Sequence, residues 1–326
     1  MFMRILAVVS SLAMACISVP SAFAQAYPSK PIHIIVGQAA GGGMDTLARL
    51  VGQKLSLSLG QPVVIENKAG AAGIIATNYV AKAAADGYTL LLSPTGNLVF
   101  NPILYSKLPY VSQRDFAPVS MIATFPLVLV VKSDNPSQPI QSVQDLVAYM
   151  KANPNKSNYA GSGPAFQFAS ELFKIKTNTQ AEFIQYKGTN EAVTAVLSGD
   201  VLLAMADTGP AAALVAGGKL RALAVTSRSR LATMPNVPTM AEAGLPDLEI
   251  QYWGGLLAPA GTPPAVIKKL EAEVQRIVRL PEMNERMNAI SVTPAGSTSE
   301  EFTKIIASDI ARWSAVAKTS NIKPVD

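Results

Sequence analysis

Ile32-His33-Ile34-Ile35-Val36-Gly37-Gln38-Ala39-Ala40-Gly41-Gly42-Gly43-Met44-Asp45 carries three signals in succession. An apolar, β-branched run reads as a strand. A glycine-rich loop follows it. Beyond the loop, Leu47, Leu50, Val51, Leu55 and Leu59 recur on one face of a helix over residues 45–59, with Gly60 as its stop. The pattern then repeats: a strand at 63–65, a helix at 74–85, an Asp86-Gly87 turn and a strand at 88–92. Strands alternating with helices in this way imply parallel pairing through right-handed crossovers.

A second α/β series begins after Pro126. Strands are expected at 127–131, 158–160, 183–186, 201–206 and 220–226. Helices are expected at 143–150, 165–175, 191–197 (stopped by Gly199) and 211–215. Pro235, Pro238 and Pro246 punctuate a long surface connection. Residues 256–258 look extended. Helices at 266–278 and 300–317 close the chain, the second turning Phe302, Ile305, Ile306 and Trp313 toward the core.

Composition agrees with two α/β units. The 326 residues suggest about two domains. Apolar residues make up 49% and charged residues 15%, the opposite of a disordered composition. One cysteine and one histidine exclude a disulfide scaffold or a zinc finger. A net charge of +5 without a basic cluster gives no footprint for nucleic acid.

Residues 1–24 read as a secretory signal. Arg4 supplies the positive end, and the apolar stretch at 5–19 is short of the ~20 residues needed to span a bilayer. Ala22-Phe23-Ala24 places cleavage before Gln25. A rival reading makes Cys16 a lipoprotein cysteine after Ala13-Met14-Ala15. The alanine where a larger aliphatic residue is usual argues against it. The mature chain is therefore expected to be a soluble protein of a bacterial periplasm.

Open parallel sheets bind ligands beyond the carboxyl ends of their strands. Gln38 to Asp45 is such a loop. Its three glycines expose backbone N–H groups ahead of a helix N-terminus, where the macrodipole favours an anion. Gln38, Ala39, Gly41 and Gly42 are candidate ligand residues. Asp45 is placed as N-cap or first-turn residue and is a further candidate. A capped, ligand-free turn is the competing reading. The loop is neither a G-x-G-x-x-G nor a P-loop. Ser93 and Thr95 offer hydroxyls at the third strand's end, or a plain polar turn. Gly161-Ser162-Gly163-Pro164 repeats the small-residue loop in the second half, with Pro164 suited to a first helical position. Asp207 either accepts from a ligand hydroxyl or ammonium or caps its own helix. Lys187 reads as solvated. His33 lies inside the first strand and reads as a packed or edge residue rather than a base. No G-x-S-x-G elbow, HExxH motif or carboxylate cluster is present, which argues against an enzyme or a metal site.

Several segments share one order: Tyr27-Pro28-Ser29-Lys30-Pro31-Ile32, Ala40-Gly41-Gly42-Gly43-Met44-Asp45, Gly60-Gln61-Pro62-Val63-Val64-Ile65-Glu66-Asn67, Ala84-Ala85-Asp86-Gly87-Tyr88-Thr89-Leu90-Leu91, and Arg114-Asp115-Phe116-Ala117-Pro118-Val119. Tyr186-Lys187-Gly188, Lys219-Leu220-Arg221-Ala222-Leu223-Ala224-Val225-Thr226, Val237-Pro238-Thr239-Met240-Ala241-Glu242-Ala243-Gly244 and Leu257-Ala258-Pro259-Ala260-Gly261-Thr262-Pro263 continue it. With these the chain resembles the periplasmic solute-binding proteins of tripartite tricarboxylate transporters, the Bug receptors.

The resemblance implies an α/β fold of the two-lobed, type II Venus-flytrap periplasmic-binding-protein kind, each lobe a mostly parallel sheet flanked by helices. Lobe 1 would comprise residues 25–125 and 250–326, and lobe 2 residues 126–249. A small carboxylate would be held by two pincer loops, Gln38 to Asp45 and Gly161 to Pro164, through N–H groups, hydroxyls and waters. The hinge, near Pro126 and the return strand at residue 250, closes because the ligand touches both lobes only in the closed state. A monomer without cofactor would then meet the integral membrane permease subunits of a tripartite transporter. A receptor kinase reading the same closed form is the alternative. One departure from the family pattern concerns the ligand. The second-lobe loop is shorter, and Gln167-Phe168 stands where relatives have His-Leu. If Phe166 or Phe168 lines the cleft, a more apolar or aromatic acid is favoured; otherwise both are core.

Overall fold

A computed structural model describes residues 27–134 and 140–324. The expected signal segment, with Arg4, Cys16 and Ala22-Phe23-Ala24, lies outside the described residues.

The opening stretch folds as its pattern dictates. β1 (Ile32–Val36) leads into α1 (Gly43–Leu59), then β2 (Val63–Asn67), α2 (Ile74–Ala81) and β3 (Thr89–Pro94). β1 pairs in parallel with both β2 and β3. Leu47, Leu50, Val51 and Leu55 of α1 are buried, each contributing about 1.5–3 kcal/mol before the entropy of ordering it. α2 stops at Ala81 rather than 85. The Asp86-Gly87 turn claims the chain early: Asp86 Oδ1 accepts the Tyr88 N–H at 3.0 Å, and Gly87 has φ +83°. A π-helical turn (Gly96–Phe100) and α3 (Asn101–Leu104) follow β3, where the sequence suggests only a polar turn.

The main difference from the sequence reading is β4 (Phe116–Lys132). The expected strand at 127–131 is the second half of one long strand. Pro118 and Pro126 hide its first half, because proline withholds a ladder donor. It accommodates Pro118 beside a register shift. The remaining elements are α4 (Val143–Ala152), β5 (Asn158–Gly161), α5 (Pro164–Thr177), β6 (Glu182–Gln185), α6 (Thr189–Ser198), β7 (Leu203–Asp207), α7 (Thr208–Ala216), β8 (Leu220–Val225), β9 (Gln251–Pro259), α8 (Pro264–Val278), α9 (Pro281–Ala289), β10 (Thr293–Pro294) and α10 (Ser299–Thr319). α9 escapes the sequence reading because only Met283 and Met287 are buried on an otherwise polar helix. β9 is longer than 256–258, its start masked by Gly254-Gly255. Glycine is required at 255, since a Cβ there would lie 2.2 Å from the Phe302 ring.

The curled mixed sheet runs β2-β1-β3-β9-β4-β7-β5-β6, with β8 and β10 also pairing β4. Pairing divides it into two lobes. β4 pairs antiparallel with β9 from Phe116 to Pro126, and with β7 and β8 from Leu127 onward. Register then fixes where the strands end. Asp207, the last residue of β7, faces Leu127, where β4 enters the second lobe. β5 is parallel to β7, and β6 to β5. In the first lobe β9 starts at Gln251 opposite Pro126, and β3 ends at Pro94 opposite Gly254. The carboxyl ends of β1, β2 and β3 therefore point at those of β5, β6 and β7.

One buried residue ties the two crossings between lobes. Thr226 Oγ1 accepts the Leu127 N–H at 2.9 Å and donates to Ile250 O at 2.7 Å. Its backbone adds reciprocal bonds to the same two residues. Beside it, aromatic rings pack from both lobes. Phe100 stacks on Phe168 with centroids 4.8 Å apart, and Trp313 meets both edge-on. No described helix is long and apolar enough to cross a membrane.

Candidate functional site

The facing strand ends enclose a cavity of about 450 Å³. Gln38 and Ala39 line it from the first lobe, Pro164 and Ala165 from the second. Phe100 and Asn97 contribute the wall between. Every lining side chain is uncharged. A larger groove of about 640 Å³ lies where α10 meets the start of β9, but its charged groups already have partners within the protein: Arg228 with Glu249 at 2.8 Å and Asp309 with Trp253 Nε1 at 2.8 Å.

The first loop is built on Asp45. Its carboxylate is buried (2% exposed) and turned beneath the loop. Oδ2 accepts the Gly41 N–H and Arg49 Nε, each at 2.9 Å, and Oδ1 accepts Asn67 Nδ2 at 3.0 Å. Asn67 Nδ2 also donates to Gln38 O at 3.1 Å. The Arg49 bond leads in holding the Asp45 pKa down to about 2, with the Gly41 amide and Asn67 adding to it against the effect of burial. Of the two places the sequence allows Asp45, it takes the first turn, the N-cap being Gly42, and its oxygens are taken up by Gly41, Arg49 and Asn67. Gly41 gives its N–H to Asp45, so it shapes the loop rather than offering that amide. Gly42 closes a turn onto Ala39 O at 3.3 Å. Among the described residues, the N–H groups of Ala39, Ala40 and Gly43 have no intramolecular acceptor.

Ser93 and Thr95 also differ from expectation. Both are buried. Thr95 Oγ1 accepts the Trp253 N–H at 2.7 Å and donates to Trp253 O at 3.2 Å. Ser93 Oγ bonds Pro94 O at 3.0 Å. β9 covers this strand end, so the Thr95 hydroxyl staples the end of β3 to β9 while that of Ser93 turns back on its own strand, and the cavity surface passes to Pro94, Gly96 and Asn97. The second-strand loop was overlooked by the sequence reading, although its Gly70-Ala71-Ala72-Gly73 repeats the small-residue signal. All four residues have positive φ. Gly73 has no space for a side chain: a Cβ would lie 2.5 Å from Asn97 Nδ2.

In the second lobe Gly161 packs under Phe183, whose ring would be 2.9 Å from a Cβ. Gly163 is the N-cap of α5, and Pro164 holds the first helical position as expected. Phe168 is fully buried and Phe166 packs against the core. Neither lines the cavity; Phe100 is its aromatic wall. Asp207 occupies the N-cap position of α7 but makes no capping bond. Its Oδ2 instead accepts from Thr189 Oγ1 at 2.9 Å, and Thr189 Oγ1 lies 3.2 Å from Ser162 Oγ. Burial raises the Asp207 pKa, and the Thr189 bond opposes it. Thr189, the link between two predicted residues, was missed; only its place just after Lys187-Gly188 at a strand end could have marked it. His33 remains on β1, its Nδ1 2.5 Å from Glu66 Oε1. Among the described residues no group of three or more His, Cys, Asp or Glu is placed to hold a metal ion.

The tripartite tricarboxylate transporter family receptor model (TctC) matches residues 47–322. Protein BugT of Bordetella pertussis is 37% identical over 324 residues, 98% of each chain. The solved structure of R. palustris Rpa4515 with adipate is 34% identical with a TM-score of 0.75, covering 92% of this chain and 100% of that one. MatC from Rhodopseudomonas palustris with bound malate is 28% identical with a TM-score of 0.71, covering 89% and 99%. Facing strand ends, a divided sheet and these likenesses over nearly the whole length converge: the chain belongs to the tripartite tricarboxylate transporter receptor family, a family of periplasmic solute-binding proteins and not of enzymes.

Proposed function

We propose that this chain is exported to the periplasm by residues 1–24, captures a small carboxylate between its lobes and delivers it to the integral membrane subunits of a tripartite tricarboxylate-type transporter. The observation that carries the reading is the cavity: strand-end loops of the first half and the first turn of α5 from the second line it, and its walls hold no charged side chain. Helix N-termini and unbonded loop amides can neutralise an anion there without burying a full positive charge, whose desolvation is costly. Adipate and malate in the two neighbours support the carboxylate class.

In this reading Gln38, Ala39 and Gly43 meet the ligand from lobe 1 (25–125 and 250–326). Ser162, Gly163 and Ala165 meet it from lobe 2 (126–249). Gly41, Gly42, Asp45, Ser93, Thr95 and Gly161 hold those groups in place from behind. Bending occurs at Pro126-Leu127 and Ile250-Gln251, around Thr226. Closure follows from the ligand's greater contact with the closed state.

The test is thermal unfolding of the mature chain, refolded from denaturant to strip carried ligand, against mono-, di- and tricarboxylates and amino acids. A ligand at 100 times its Kd stabilises by about 2.7 kcal/mol, a rise of about 5 °C for a chain of this length. A dose-dependent rise with one acid, at one site per chain by calorimetry, supports capture. No rise with any acid overturns it. Loss of uptake of that acid in a deletion strain tests delivery, and unchanged uptake refutes it.

A further inference from the structure

Resting on that reading, we infer that the second lobe selects acids bearing a hydroxyl or ammonium substituent, and that Asp207 is the residue that recognises it. The argument is one of hydrogen-bond polarity. Ser162, Thr189 and Asp207 come from the ends of β5, β6 and β7, the rim that faces the first lobe. Thr189 Oγ1 donates to Asp207 Oδ2 at 2.9 Å. A threonine hydroxyl has one hydrogen, so the 3.2 Å contact between Ser162 and Thr189 is donated by Ser162. Both hydroxyl hydrogens are thereby directed inward along the chain to the carboxylate.

What the three side chains leave for a ligand is acceptor capacity alone. Asp207 Oδ1 has no hydrogen-bond partner among the described residues, and no described lysine or arginine pairs with Asp207. Its helix does not use it either, since α7 receives no side-chain cap. A half-buried carboxylate with one free oxygen favours a donor, and burial, which raises its pKa, reinforces that demand. A ligand carboxylate cannot rest on the same oxygens without like-charge repulsion. It must go to backbone N–H groups, which leaves Asp207 for a substituent. The first lobe does not duplicate this arrangement, because its aspartate, Asp45, already accepts three donors. The ligands of the two neighbours differ in chain length and also in this respect: malate carries a hydroxyl and adipate none.

Calorimetry on the refolded mature chain tests this with two matched series: succinate, malate and aspartate, and glutarate, 2-hydroxyglutarate and glutamate. The expected result is binding of at least one substituted acid tenfold or more tighter than its unsubstituted parent. Asp207→Ala, checked for an intact unfolding transition, should bring that ratio within about twofold. If it does not fold, Asp207→Asn, which keeps the shape but loses the charge, should narrow the ammonium preference. Parents binding as tightly as their substituted partners would overturn the inference while leaving carboxylate capture standing. So would a variant that kept the full ratio. Failure of every acid to bind would overturn both.

Discussion

Thr226→Val removes one hydroxyl and almost no volume, yet it should be among the most damaging conservative changes in the chain. The side chain is fully buried. Its oxygen accepts the Leu127 N–H at 2.9 Å and its hydrogen goes to Ile250 O at 2.7 Å. Each such bond contributes about 0.5–1.5 kcal/mol net, and a buried N–H left without an acceptor costs about 1–3 kcal/mol. With the side chain fully buried, the lost Ile250 bond and the orphaned Leu127 N–H together come to about 2–4 kcal/mol. At ~2 °C per kcal/mol for a protein of this size, the ligand-free Tm should fall by about 4–8 °C in a calorimetric scan. Thr262→Val is the control. Thr262 is also buried, but its hydroxyl makes a single bond, to Pro259 O three residues back, at 2.8 Å. It should lose no more than about 3 °C. If Thr226→Val melts within 1 °C of the parent, or no lower than Thr262→Val, the reasoning that one hydroxyl ties the two crossings is refuted.

Other perturbations have equally definite outcomes. Asp45→Asn should lower Tm at neutral pH by the equivalent of about 1–3 kcal/mol, since bonds to a charged group are stronger. The folded pKa of Asp45 is about 2, below the unfolded value of ~3.9. Its stabilisation is therefore complete above about pH 4 and is lost as pH falls toward 2; a Tm difference between parent and variant that does not shrink over that window would contradict it. Gly73→Ala forces a Cβ onto Asn97 at a residue with φ +82°. It should weaken acid binding at least tenfold by calorimetry, and unchanged affinity would remove Asn97 from the cavity wall. Gly255→Ala drives a methyl into the Phe302 ring at 2.2 Å and should cost about 1–3 kcal/mol by denaturant melt. A neutral result would mean that α10 shifts freely on the sheet.

The parts of the fold that were legible in the sequence are those fixed by local pattern. β1, its glycine loop and α1 read correctly because apolar period, loop chemistry and helix stop all agree over adjacent residues. β4 did not, because whether Pro118 and Pro126 break a strand depends on a partner, β9, more than a hundred residues away. The site divides in the same way. That small-residue loops at strand ends would line a cavity was visible at Gln38 and Pro164. Which polar groups face the ligand was not. Thr95 carries the right atom at the right strand end, but the arrival of Trp253 takes it, and Ser93 spends its hydroxyl on Pro94 O. Asp45 is likewise the expected anion-loop residue, yet Arg49 and Asn67 take its oxygens. Asp207 alone among the charged candidates keeps an oxygen free, a fact set by the absence of a neighbouring cation rather than by any motif.

The joining of the lobes at Thr226 also bears on how such receptors diversify. On the lobe division proposed above, the chain leaves the first lobe at Pro126-Leu127 and re-enters it at Ile250-Gln251, and a single side chain spans both points. The second lobe is thus one uninterrupted segment of sequence whose two ends lie side by side. Recombination between related genes could replace that segment whole, with both junctions falling in neighbouring strands that a threonine already clamps together. Each exchange would renew one jaw of the cavity and leave the other untouched, so ligand range could change by halves instead of residue by residue.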